Sequence, residues 1–70
     1  MADVVMPMNG KVIDVKVAVG DAVQEDAEVV IIEAMKMELP VVAEASGTVK
    51  EVKASVGKSY QVGDVLLVIE

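Results

Sequence analysis

Apolar and polar residues alternate through residues 11–17 (Lys-Val-Ile-Asp-Val-Lys-Val) and again through 48–54, a period of two that predicts strands with one buried face. Two further stretches, 28–33 and 65–70, are short, nearly continuous runs of Val, Ile and Leu that read as strongly apolar strands. Glycine-containing turns separate these pieces.

The pieces are two copies of one pattern. Sliding the chain by 37 positions lays residues 9–33 on 46–70 with nine identities in twenty-five: Gly10 on Gly47, Val12 on Val49, Val15 on Val52, Lys16 on Lys53, Val19 on Val56, Gly20 on Gly57, Gln24 on Gln61, Ile32 on Ile69 and Glu33 on Glu70. Self-similarity of this kind marks a repeated supersecondary unit. Local propensity conflicts with it once. Residues 25–39 hold Glu, Ala, Met, Lys and Leu and stop before Pro40, which alone suggests a helix. The matching stretch 62–69 has Gly63 near its start and is rich in Val, Leu and Ile, so both copies are read as strands. Two short β units, neither able to cover its own apolar face, predict an all-β antiparallel sandwich or flattened barrel with pseudo-two-fold symmetry. The chain, residues 1–70, is read as a single domain.

The linker between the copies, 34–45, holds the candidate chemistry. After 29–33 a tight turn is predicted at Ala34, Met35, Lys36 and Met37, with a return strand over 38–42, so that Lys36 sits at a hairpin tip. The turn lacks the Asn-Gly or Asp-Gly pair that favours two-residue hairpins. Local rule-breaking of this sort tends to mark function. The methionines on either side belong on an exposed turn, with folding back into the core as the alternative.

Composition narrows the partners. At 70 residues the chain buries only about 60% of its unfolded surface. It has no Cys or His, so disulfide and transition-metal staples are unavailable, and with Tyr60 as its one aromatic residue the core must be mostly valine. A net charge of −6, with lysine as the sole cation, argues against nucleic acid. No apolar run approaches the roughly 20 residues of a membrane span, and no secretory signal pattern is present, which leads to an expectation of a cytoplasmic protein.

An exposed lysine amine is almost wholly protonated at neutral pH, so Lys36 cannot act as a nucleophile unaided. Lys36 therefore reads as the target of an enzyme that supplies its own base. The other lysines, 11, 16, 50, 53 and 58, read as solvated charges. Asp21, Glu25, Asp26 and Glu28 read as a solvated acidic loop, with a metal site as the alternative. Ser46, Ser55 and Ser59 lack a base partner, so catalysis by this chain itself is not expected.

Glu33-Ala34-Met35-Lys36-Met37-Glu38 resembles the acceptor motif of biotinyl domains in the biotin/lipoyl attachment family. Met6-Pro7-Met8-Asn9-Gly10 is similar to that family's opening turn, and Val19-Gly20-Asp21, Gly47, Gly57 and Gly63-Asp64 to its recurring turns, so the likeness covers nearly the whole chain. It implies a flattened β-barrel of two four-stranded sheets and biotin joined covalently to Lys36 by a biotin protein ligase. It further implies carriage of a carboxyl group from a biotin carboxylase to a carboxyltransferase. Glu33, Ala34, Met35, Met37 and Glu38 would then serve recognition by ligase and partners, with no catalytic residue or metal site. The tether would turn bimolecular encounters into near-intramolecular ones.

Asp26 stands where the family often has Gly, opposite Gly63 in the repeat, and its turn should persist because Asp tolerates the left-handed region. There is no room for an extra protruding loop between the first-half strands. The halves cover one another, which predicts a monomer. The rival cofactor is lipoate, although lipoyl domains typically have an acid where Met35 stands. The other rival is an unmodified β-sandwich interaction module.

Overall fold

The computed structural model describes residues 2–70, all strand and turn. Eight strands follow in order: β1 (Ala2–Val5), β2 (Gly10–Val15), β3 (Ala22–Val23), β4 (Glu28–Ala34), β5 (Met37–Val42), β6 (Gly47–Val52), β7 (Ser59–Tyr60) and β8 (Val65–Ile69). They form two four-stranded antiparallel sheets, β1-β8-β6-β3 and β5-β4-β2-β7. The helix that local propensity favours over 25–39 does not form, because β4 and β5 spend their backbone groups on each other from Glu28↔Val42 to Ala34↔Met37. Strands β1, β3 and β7 lie outside the apolar runs. The alternating strands are each two residues shorter at their C-terminal end than expected. In the first half the chain leaves β2 for a turn in which Asp21 accepts a hydrogen bond from the Ala18 amide, 2.9 Å.

The repeat is visible bond by bond. Gly20 N–H donates to Val49 O at 2.8 Å, and its counterpart Gly57 N–H to Val12 O at 2.8 Å. Asp26 N–H reaches Ala43 O at 2.8 Å, and Gly63 N–H reaches Met6 O at 2.9 Å. Each turn of one half is thus bonded to a segment of the other, and neither half can close alone. The core is symmetric in the same way: the pairs Val12/Val49, Val29/Leu66, Val30/Leu67 and Ile32/Ile69 are at most 1% exposed. Among the described residues no polar or charged side chain is buried, so desolvation costs the core nothing.

Gly10 and Gly47 are equivalent and share one constraint. A Cβ at Gly10 would lie 2.6 Å from Glu33 O, and one at Gly47 would lie 2.6 Å from Glu70 O. These close approaches let β2 and β6 lie against the ends of β4 and β8. The symmetry also locates the hairpin: the pair Ile32↔Leu39 in β4-β5 maps onto Ile69↔Ala2 in β8-β1. The β4-β5 tip is therefore the symmetry mate of the place where Ala2 and Glu70 lie.

Candidate functional site

The β4-β5 hairpin closes through Ala34↔Met37, leaving Met35 and Lys36 as its two central residues. Both have positive φ, 53° and 65°, as a type I′ turn requires. Neither is a residue that takes this conformation readily, and the left-handed region costs an ordinary L-residue about 1–2 kcal/mol. The turn forms because β4 and β5 are held in register on both sides of it, with Ala34, 4% exposed, fixing the base.

The six-residue motif is a contiguous group with divided roles. Met35 is 86% exposed and Met37 60%, whereas Met6 is fully buried, so the tip methionines do not fold back into the core. Lys36 is exposed between them, and among the described residues the ion pair is elsewhere, Lys16 Nζ to Glu28 Oε1 at 3.6 Å. Glu33 and Glu38 are exposed and directly opposite each other at the base, a like-charge pairing that weakens the hairpin slightly. The amine is thus projected on a narrow, apolar-flanked tip above two carboxylates.

Beside the base lies a groove of about 540 Å³ between Gly10, Glu33, Ala34, Met35, Tyr60 and Gln61. It is walled by β2 and β7, whose Gly10↔Tyr60 pair brings second-half residues to the hairpin. Two side chains fix that wall: Asn9 Oδ1 accepts from the Val62 amide at 2.8 Å, and Tyr60 Oη accepts from the Ser55 amide at 2.8 Å. Glu33, Ala34 and Met35 on this groove were sequence candidates, whereas Asn9, Gly10, Tyr60 and Gln61 were not. The signal that could have found them is Gly10 itself, whose identity with Gly47 marks a close approach to β4.

The remaining candidates are dispersed. Lys50 and Lys53 are exposed on or just beyond β6, and Lys58 lies in the Gly57 turn. In the acidic segment Asp21 caps its own turn and Glu28 pairs with Lys16. Ser46 Oγ accepts from the Glu25 amide at 3.1 Å. Chemically, the arrangement offers one accessible primary amine on a stiff protrusion, suited to acylation by another enzyme.

Comparison with known proteins identifies the family. A family model described as biotin-requiring enzyme matches residues 2–69. The biotin/lipoyl attachment protein of Bacillus subtilis is 50% identical over 60 residues, covering 86% of this chain and 82% of that protein. The biotin carboxyl carrier protein of Streptococcus mutans is 44% identical over 63 residues, covering 90% of this chain and 48% of its own length. The structure of urea carboxylase from Kluyveromyces lactis superimposes with a TM-score of 0.92 at 35% identity over 99% of this chain, which spans 6% of that one.

Proposed function

The chain belongs to the biotin-requiring enzyme family as a biotin carrier, and from that premise we propose that Nζ of Lys36 is the atom that bears the cofactor. The observation that supports this most is the strained tip: Met35 and Lys36 hold positive φ where glycine or asparagine would serve the fold better. Biotin, when bound, supplies the ring nitrogen that carries a carboxyl group. The chain's residues present it. Lys36 gives a flexible, exposed stem, and the paired strands beneath keep that stem clear of the core.

Attachment requires an acyl group activated elsewhere, for which the biotin protein ligase is the proposed source. The ligase's base takes a proton from the Lys36 ammonium, the neutral amine attacks the acyl carbon of biotinyl-AMP, and the C–N amide bond forms as the C–O bond to phosphate breaks and AMP leaves. Glu33, Ala34, Met35, Met37 and Glu38 are the proposed recognition surface: two exposed thioethers at the tip, two carboxylates at the base and a buried alanine that sets the turn. The carrier itself performs no chemistry in this reading, and a biotin carboxylase and a carboxyltransferase act on the arm in turn. Docking on another molecule raises the local concentration of the ring at each active site without any new contact by the ring.

The test is the intact mass of the chain after reaction with biotin, ATP and a biotin protein ligase, beside a lipoate ligase reaction and a Lys36→Ala control. One biotin increment on the wild type and none on Lys36→Ala is the expected result. A lipoate increment alone would replace biotin with lipoate, and no increment in either reaction would leave an unmodified interaction domain.

A further inference from the structure

The two halves share a backbone but differ on their outer faces. On the hairpin half, Ile13, Ile31, Leu39 and Pro40 floor a groove of about 390 Å³. Ile31 and Pro40 face each other across β4-β5, and Ile13 is the extra residue where the β2-β4 register shifts between Val12↔Ile32 and Asp14↔Ile31. Ile13 and Ile31 are half-buried yet stand outside the core cluster. Around them are three carboxylates, Asp14, Glu28 and Glu38, against the single ammonium of Lys16.

The repeat supplies an internal control. Advancing by 37, Ile13 becomes Lys50, Asp14 becomes Glu51, Lys16 becomes Lys53 and Ile31 becomes Val68; Pro40 corresponds to Asp3. On that face the apolar residue Val68 is 8% exposed, and the charges around it balance, two acids and two lysines. Folding therefore does not require an apolar, acid-rimmed surface at these positions, since the same architecture is built with Lys50 and Asp3.

We propose that the outer face of β5-β4-β2 is a docking surface for the enzyme that receives the arm, a carboxylase component presenting an aliphatic side chain ringed by lysine or arginine. The proposal rests on the carrier reading of Lys36. The excess of acid selects a basic partner, and the isoleucines and proline supply the apolar contact that a charged rim alone lacks. Continuity with the hairpin gives the face its use. At about 3.3 Å per residue, Pro40 lies roughly 13 Å down β5 from Lys36. A partner seated there holds the tip at a fixed distance from its own active site while leaving the arm free.

The test uses the full chain, isotope-labelled, titrated before and after modification with a purified biotin carboxylase that turns over its biotinylated form. The amides of Ile13, Ile31 and Leu39 should shift or broaden while those of Lys50, Val65 and Val68 stay unchanged. The double substitution Ile13→Lys and Pro40→Asp, which copies the other half, should weaken binding about tenfold while biotin incorporation by the ligase is retained. Added salt should weaken wild-type binding, because an acidic rim is screened. Unchanged affinity in the folded double variant overturns the proposal, as does a loss confined to the ligase step. If the double variant does not unfold cooperatively, the wild-type shift map decides alone, and a map centred on β1-β8-β6-β3 overturns the face. The map of the unmodified chain does not depend on Lys36 bearing biotin. Absence of a mass increment therefore removes the Lys36 assignment, whereas a misplaced map removes this one.

Discussion

The molecule turns its backbone through positive φ in two different ways. At Gly20, Gly57 and Gly63, with φ between 90° and 96°, it uses the residue that takes this conformation without steric cost. At the hairpin tip it uses Met35 and Lys36, which do not. Both kinds of turn are exposed, so burial does not explain the choice; the glycine turns pass from one sheet to the other, whereas the tip joins two paired strands of one sheet. The glycine turns are bonded to the opposite half and hold the fold closed. The tip closes β4 on β5 and carries side chains at a cost to stability, as expected where residues are kept for a partner.

This division can be tested by substitutions with decreasing effect. Gly47→Ala places a methyl 2.6 Å from Glu70 O and 2.7 Å from Ile69 Cγ2, and should lower unfolding free energy by about 2–3 kcal/mol in urea titration. Gly57→Ala meets nothing within 4 Å but keeps a φ of +91°; a loss of about 1–2 kcal/mol, with the rate of biotin incorporation unchanged, assigns that turn to the fold alone. Met35→Asn should act in the opposite direction, gaining about 1 kcal/mol while slowing biotin incorporation by the ligase. A stabilised variant modified at the wild-type rate would show that the strain has no partner-related reason. Asp26→Gly is the smallest. Asp26 has φ 70° where its counterpart is Gly63, so about 0.5 kcal/mol should be gained by thermal melting, with no change in modification.

These contrasts also explain what could be read from the chain. Alternation and the 37-residue repeat were sufficient for an antiparallel two-layer β architecture, though not for its strand count, because identities such as Val12/Val49 and Ile32/Ile69 are core positions whose burial both halves require. The repeat also corrected a helix propensity that no single-segment argument could have rejected. Strands β3 and β7, two residues each, carry too few side chains for a periodicity and exist because β6 and β2 offer them an edge. Lys36 stood out through the missing turn residues, but the exposure of Met35 and Met37 needed the hairpin register to decide it. Ile13 was concealed inside an alternating run. Only the register shift between Val12 and Asp14 shows that this isoleucine is set apart from the core.

The central claim is that one of six lysines, chosen by its place at a strained tip, takes the cofactor. The most direct measurement is fragmentation mass spectrometry of the biotinylated full chain, with the increment mapped lysine by lysine. The account predicts the whole increment on Lys36 and none on Lys11, Lys16, Lys50, Lys53 or Lys58. An increment spread over several lysines, or placed on one at a glycine turn such as Lys58, would contradict it.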